Sequence, residues 1–414
     1  MQGMTSTSAA PAPTRRLDHA APLDLHFRAQ VVAAAKGEVA LDASAFYPQG
    51  GGQNGDCGWL RAGEQSWKVT GTRLDKASGA VWHAVEGELP PVGTQLDGEV
   101  DAYSRLRQMA RHTGEHLLAQ AFARVNPAFE VAAVGMRGPD CTLDLRGDPS
   151  EADAQAAEAL LREVMVAGPL RLDTQLVPHT ELRAYPLRRA TPLTGDVRLV
   201  MFRDAAGDLF DVSACAGTHL PLGNLAAPVT VLGLERIKAG LTRVTFRAGP
   251  EAAEYLGGVY RDTRALAQSF STGPAGLAER VEALRSERDR LAAEAQALRT
   301  ALAGALVDAA PAETAGSVTL RLLSLPEEGL LAPVLGSVPA GEVRAAVAGE
   351  RCGVGSGVPE LDAGAVLRAA LVVTGGRGGG RAALAQGQTA APQGFLAEVR
   401  RAVAEDSAGT GSVG

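Results

Sequence analysis

Apolar residues change their spacing along the chain, and each change marks a different kind of element. Between residues 23 and 100, short apolar runs alternate with Gly, Asn and Asp. That texture predicts strands at 25–32, 37–41, 58–61, 66–72 and 81–85. From residue 101 the repeat lengthens to three and four: Leu106, Met109, His112, His116, Leu117 and Phe122 predict one helix over 101–125. A second helix is expected at 150–167, with Ser150 as its N-cap and Pro169 just beyond its end. Strand texture returns at 196–202, 228–236 and 242–248.

Residues 250–310 read as almost continuous helix. Leu277, Val281, Leu284, Arg288, Leu291, Ala295, Leu298, Leu302 and Ala305 keep strict 4-3-4-3 spacing, with Arg288 the one charged intruder. Two readings stand side by side: a coiled-coil hairpin or dimer seam, and an amphipathic helix packed on its own chain. Strands are then expected at 318–325, 343–348 and 370–374, followed by a glycine-rich loop at 375–381 and a helix at 393–405. The fold class is therefore α+β. It divides into a disordered tail (1–22), a small β-barrel-like domain (23–100), an α+β domain (101–248), a helical coiled-coil-like segment (249–310), an α/β domain (311–405) and a second disordered tail (406–414).

Composition adds limits. The 414 residues suffice for two to four domains. No apolar run is long enough to cross a membrane, and the first twenty residues lack the apolar core of a secretory signal. Cys57, Cys141, Cys215 and Cys352 are too scattered for a disulfide framework, so a reducing, cytoplasmic setting is expected. Of 40 basic side chains only Lys36, Lys68, Lys76 and Lys238 are lysines, against 47 acidic ones. A net charge of −7 gives no general affinity for nucleic acid, so any such role must rest on local sites.

The sharpest chemistry is HTGEH, with His112 and His116 one helical turn apart and on one face. It is not a metalloprotease box, because Glu115 adjoins the second histidine and is expected on another face. Cys215-Ala216-Gly217-Thr218-His219 repeats the four-residue spacing about a hundred positions later. A lone pair of histidines is usually just part of a helix face. Two matching half-sites from seven histidines and four cysteines favour a His3Cys site for one Zn2+. His19, His26, His83 and His179, and the remaining cysteines, read as structural or exposed. In FYPQGGGQ, Gly51 and Gly52 would let backbone amides approach a substrate, and Gln53 offers a donor and an acceptor. The loop at 375–381 would suit backbone contact with phosphate, flanked by Arg377 and Arg381.

FYPQGGGQNGDCG, RHTGEHLL and DVSACAGTHLP, in that order, resemble the AlaX alanyl-tRNA editing proteins and the editing domain of alanyl-tRNA synthetase. TGGRGGGRAALAQG resembles the glycine-rich DHHA1 domain that closes the synthetase. Two positions depart from the family pattern: Ala216 stands for the first glycine of CGGTH, and Arg377 for the lysine of GGGKGGGR. No class II aminoacylation motif is apparent, which favours a trans-acting editor.

The resemblance implies hydrolysis of mischarged tRNA(Ala), chiefly Ser-tRNA(Ala) and secondarily Gly-tRNA(Ala). It would occur at zinc held by His112, His116, Cys215 and His219, with no protein base assigned. It further implies that Gly51, Gly52, Gln53 and Thr113 contact the substrate, with two roles open for Thr113: sensing the serine hydroxyl, or capping and packing beside the metal ligands. Arg377 and Arg381 would contact RNA, and the helical segment or C-terminal domain would form a homodimer. Two other readings remain: a non-catalytic, zinc-stabilised tRNA-binding protein, and an editor for the threonyl system, against which the DHHA1-like end argues.

Overall fold

Six antiparallel strands close into a barrel in the order His26–Ala35, Glu38–Leu41, Val81–Val85, Gln65–Leu74, Gly58–Ala62 and Gln95–Val100. In the computed structural model, which describes residues 11–315 and 317–409, alternate residues of each strand point inward. The interior is filled by Phe27, Val31, Val39, Leu60, Val69 and Leu96. The closing strand Gln95–Val100 is absent from the sequence reading because its inward positions are Leu96, Gly98 and Val100. Glycine is required at the middle one: a Cβ there would lie 2.3 Å from the Phe27 ring.

The stretch expected as a tail up to residue 22 is folded from residue 11 onward, and residues 1–10 lie outside those described. Arg15–Arg16 pairs in parallel with Ala43–Ser44, and Leu17–Ala20 forms a single helical turn. Buried Thr14 donates to the Leu41 carbonyl at 2.7 Å and accepts from the Val81 amide at 2.9 Å. A Ser/Thr/Pro-rich texture conceals such residues because their partners are remote in sequence.

Helix Ala102–Val125 begins at Asp101, whose side chain accepts from Ser104 N at 2.7 Å. It shares one core with two sheets. One has the order Val229–Lys238, Leu241–Ala248, Cys141–Arg146, Val131–Gly135, and the other Arg171–Pro178, Asp196–Arg203, Leu209–Ala214. Met109, Leu117 and Phe122 of the helix meet Leu143 and Phe246 from the first sheet and Phe202 and Phe210 from the second. Gly114 lets it press close, since a Cβ would meet Ala248 Cβ at 2.5 Å. Helix Glu151–Ala167 starts in a capping box between Ser150 and Asp153.

The chain forms two compact units, Met1–Thr263 and Arg264–Gly414. The helical stretch is two helices, Gly249–Ser269 and Leu277–Ala309, separated by a turn at Pro274–Gly276. Leu291, Leu298 and Leu302 of the heptad stripe are exposed; only Ala303 and Val307 near the helix end are buried, against Leu323, Leu331 and Val334.

In the second unit a six-stranded mixed sheet runs Ala312–Ala315, Val318–Ser324, Glu342–Ala348, Arg351–Ser356, Leu384–Thr389, Gly376–Arg381. The strand expected at 370–374 is instead the last turn of helix Ala363–Thr374. Asp362 caps that helix through Gly364 N at 2.7 Å and Ala365 N at 3.1 Å. Val372 and Val373 imitate a strand but are exposed on the helix. The expected glycine-rich loop is the edge strand Gly376–Arg381, exposed throughout. The final helix, Pro392–Gly409, runs into the segment expected as a tail, whose last five residues are outside those described. Among the described residues no helix is long and apolar enough to cross a membrane.

Candidate metal centre and its surroundings

His112 and His116 leave the same face of helix Ala102–Val125, with ring centroids 5.2 Å apart. Strand Leu209–Ala214 delivers Cys215, and the turn after it returns His219 to the same place. One ligand atom from each of these four side chains lies within 4.8 Å of the others. Cys215 Sγ is 3.4 Å from His112 Nε2 and 3.4 Å from His219 Nε2. In a tetrahedral zinc site with Zn–S about 2.3 Å and Zn–N about 2.0–2.1 Å, sulfur and nitrogen stand about 3.6 Å apart. The donor set therefore fits Zn2+ in type and spacing.

The far nitrogen of each ring is engaged. His112 Nδ1 donates to Gln53 Oε1 at 2.8 Å, and His116 Nδ1 to Asp211 Oδ2 at 3.0 Å. His219 Nδ1 lies 3.4 Å from Thr113 Oγ1, which also accepts from Leu220 N at 3.0 Å. Because these acceptors hold the Nδ1 protons, the Nε2 lone pairs are left to converge. Behind His116, the Arg188 guanidinium pairs with Asp211 at 3.0 Å and with Glu115 at 3.7 Å. Glu115 does not point away as expected: its carboxylate stands 3.8 Å from His116 Nε2, held in the buried charge network by Arg188.

The cluster is electrically biased toward metal binding. Burial alone would raise the Cys215 thiol, but the adjacent His112 and His219 imidazoles hold it well below the usual range. Burial and then His112 and His116 push His219 down to about 3. His116 is pulled down by burial, yet Asp211 and Cys215 outweigh it and push it up to about 10. A thiolate enclosed by His112, His116 and His219 favours a cation at their centre.

Gly217 is the tightest point. A Cβ there would sit 2.0 Å from His112 Cε1, whereas Ala216, the departure from the family pattern, is exposed. The conformational demand falls on the second glycine, so the substitution at the first is harmless.

The residues expected to touch substrate divide. Gly51 (φ +56°) and Gly52 (φ +84°) form a tight turn closed by Gly50 and Gln53, and Gly51 is exposed. Gln53 is buried and both ends of its amide are engaged inside the protein: Nε2 donates to Thr218 Oγ1 at 2.9 Å, while Oε1 accepts from His112 and from Thr218 N at 3.3 Å. Thr113 is likewise buried and occupied by His219 and Leu220. Both residues orient side chains of the cluster. Arg377 and Arg381 lie exposed on the edge strand of the other unit.

Sequence reasoning missed Asp211, Arg188, Asp56, Arg105 and Arg198. Asp211 opens the DVSACAGTHLP motif and Asp56 lies in FYPQGGGQNGDCG, so both were signalled by position without a role. Asp56 accepts from Tyr47 N at 2.6 Å and pairs with Arg105 of the metal helix, Nε donating at 3.0 Å. Arg105 also donates to the carbonyls of Pro22 and Ala45, both at 2.5 Å. This fully buried ion pair fastens the glycine loop to the helix that bears His112 and His116. Arg198 Nη1 donates to the carbonyls of Cys215 at 2.9 Å and Gly217 at 3.0 Å, bracing the ligand turn.

Comparison with known proteins agrees with this picture. The family model for class II tRNA synthetases (A) matches residues 19–104, which include the whole barrel. The alanine–tRNA ligase of Korarchaeum cryptofilum is 28% identical over 392 residues, covering 91% of this chain and 43% of that protein. That of Thermococcus kodakarensis is 30% identical over 394 residues, covering 92% and 42%. The chain thus spans about two fifths of the length of these curated relatives. The C-Ala domain of Aquifex aeolicus alanyl-tRNA synthetase matches 23% of this chain and 98% of its own at 25% identity. Its TM-score of 0.21 gives the fold comparison no weight. Over nine-tenths of its length this chain is therefore similar to alanine–tRNA ligases, which is consistent with an AlaX-like protein.

Proposed function

We propose that this chain hydrolyses the ester of mischarged tRNA(Ala) in trans, chiefly Ser-tRNA(Ala) and secondarily Gly-tRNA(Ala), at a zinc centre held by His112, His116, Cys215 and His219. The convergence of the four donors, with all three far ring nitrogens engaged by Gln53, Asp211 and Thr113, carries the reading. When bound, zinc supplies a Lewis acid beside the ester carbonyl. Gln53 ties His112 to the Cys215–His219 turn, so the two half-sites are held together before substrate arrives. The way in is the side of Cys215 and Ala216, the least buried part of the cluster. Water adds to the acyl carbon, the bond to the ribose oxygen breaks, and the ribose hydroxyl leaves with a proton.

The need for such a step is physical. A pocket shaped for alanine rejects glycine by only about 1–3 kcal/mol and refuses an added hydroxyl poorly. The exposed strand bearing Arg377 and Arg381 suits RNA contact, and the exposed leucine stripe of helix Leu277–Ala309 suits pairing with a second copy.

One observation favours a second reading, a non-catalytic zinc-stabilised tRNA-binding protein: four protein donors already complete a tetrahedral set. Incubation of the purified zinc-loaded protein with Ser-, Gly- and Ala-tRNA(Ala) separates the two. Selective loss of the seryl ester is expected. An intact seryl ester on tightly bound tRNA would establish the binding protein instead.

A further inference from the structure

A cleft of about 250 Å3 opens beside the metal cluster. His219 and Pro221 lie at one side, Leu172, Thr174 and Arg198 on the sheet, and the segment from His19 to Asp24 across from them. That segment was expected to be a tail, yet His19 Nε2 reaches within 3.2 Å of the Ala216 carbonyl in the ligand turn.

Arg198 is unusual. Among the described residues of the first unit, every other arginine that is not exposed has a carboxylate within 4.0 Å, from Arg16 on Asp18 to Arg247 on Asp140. Arg198 is half-buried and has none. One of its terminal nitrogens is committed to two carbonyls. Its leading anionic neighbour is the Cys215 thiolate, which a bound zinc would neutralise, so the half-buried cation has no carboxylate of its own and an anion in the cleft would complete it. The nearest acid, Asp18, is spent on Arg16, and Asp24 at the rim is exposed and screened by solvent.

We propose that this cleft is the subsite for the 3′-terminal phosphodiester of the RNA, with Arg198 as its cation and the folded segment at residues 19–24 as its outer wall. The assignment rests on the hydrolase reading above and extends it to the polynucleotide side of the ester. Charge decides the occupant: the ammonium of an aminoacyl group would be repelled by Arg198, whereas a phosphate oxygen can take the guanidinium donors left over. The volume lies below the range of about 300–1,000 Å3 typical of whole-ligand pockets, which suits one phosphate and part of its sugar.

The test measures affinity of the zinc-loaded protein for an unacylated CCA trinucleotide, with adenosine and inorganic phosphate as comparison ligands, over a range of salt. Arg198→Gln is expected to weaken trinucleotide binding about tenfold and to lower the salt slope by about 0.7, the value for one single-strand phosphate. Arg198→Lys should recover part of the affinity. Wild-type affinity in a zinc-replete Arg198→Gln protein would overturn the proposal. So would a trinucleotide that binds no more tightly than inorganic phosphate.

Should Arg198→Gln lose zinc through its grip on the ligand turn, Ala20→Trp decides. It fills the cleft from the wall across from Arg198 and leaves the Arg198 side chain itself unaltered, and unchanged trinucleotide affinity in the zinc-replete variant would refute the subsite. These readouts do not depend on hydrolysis. A wild-type protein that leaves Ser-tRNA(Ala) intact yet binds CCA through Arg198 would sink the hydrolase reading and leave the subsite standing.

Discussion

Replacing Gly217 with alanine places a methyl carbon 2.0 Å from His112 Cε1 and 2.3 Å from His112 Nδ1. Carbon atoms in comfortable contact stand about 3.5–4.0 Å apart, so the ring or the turn must yield by about 1.5 Å. Neither can do so at low cost. The imidazole is held at Nδ1 by Gln53 Oε1, and the turn is held by Arg198 through the Cys215 and Gly217 carbonyls. A metal–nitrogen distance tolerates about 0.2 Å, so a displacement several times larger removes His112 from the donor set.

Loss of zinc affinity by a factor of at least 10–100 is expected, on the scale seen when groups that orient metal ligands are changed. Competition against a chromophoric chelator, with metal content measured on the purified protein, reads it directly. Ala216→Gly, one residue earlier and exposed, is the matched control and should change neither zinc affinity nor stability by more than about 0.5 kcal/mol. A Gly217→Ala protein that binds zinc within twofold of wild type would show that the turn does not press on the ligand ring, and the reasoning about this site would fall.

Asp211→Asn keeps the shape of the side chain but removes the charge facing His116 Nδ1 and Arg188. Zinc affinity should fall about 10–100-fold in the same chelator assay. Asp56→Asn leaves Arg105 as an uncompensated buried charge. Urea titration should show a loss of about 3–5 kcal/mol, and a loss under 1 kcal/mol would deny the pair its fastening role. His83, whose Nδ1 donates to Val39 O at 3.1 Å and whose Nε2 lies 2.8 Å from Ser44 Oγ, is driven down to about 4 by burial. Below pH 6.5 the unfolded chain takes up a proton that the folded barrel refuses. His83 therefore costs stability progressively between pH 6.5 and 4, amounting to about 2–3 kcal/mol at pH 4.5. Urea titrations at pH 7.5 and 4.5 should show that much less acid sensitivity in His83→Gln than in wild type.

Elements whose sequence carries their own period were legible, and elements completed by a remote partner were not. Helix Ala102–Val125 has apolar residues at three- and four-residue steps and a capping aspartate, and both signals lie within its own sequence. Strand Gln95–Val100 has neither, because its inner glycine makes room for Phe27, more than seventy residues away. Val372-Val373-Thr374 misled in the opposite direction. β-branched residues favour strands only where a neighbouring surface receives them, and here Asp362 caps a helix whose apolar side is met by Phe395 and Val399. The folded segment at residues 11–22 was hidden for the same reason as Gln95–Val100, since Thr14 answers to Leu41 and Val81 and His19 to Ala216.

The metal cluster follows the same rule with a twist. Its four side chains were legible because the same four-residue spacing recurs in two distant segments, and that coincidence is visible in one sequence. Their supports were not, because a supporting residue needs only the right atom at the right end of a side chain. Gln53 illustrates the difference. Placed in a glycine-rich loop, it looks like a group offered to a ligand from outside. Folded, both ends of its amide are consumed in joining His112 to Thr218. If this loop fixes the site from within, the recognition proposed above falls to the wall containing Arg198, whose guanidinium has no carboxylate within 4.0 Å.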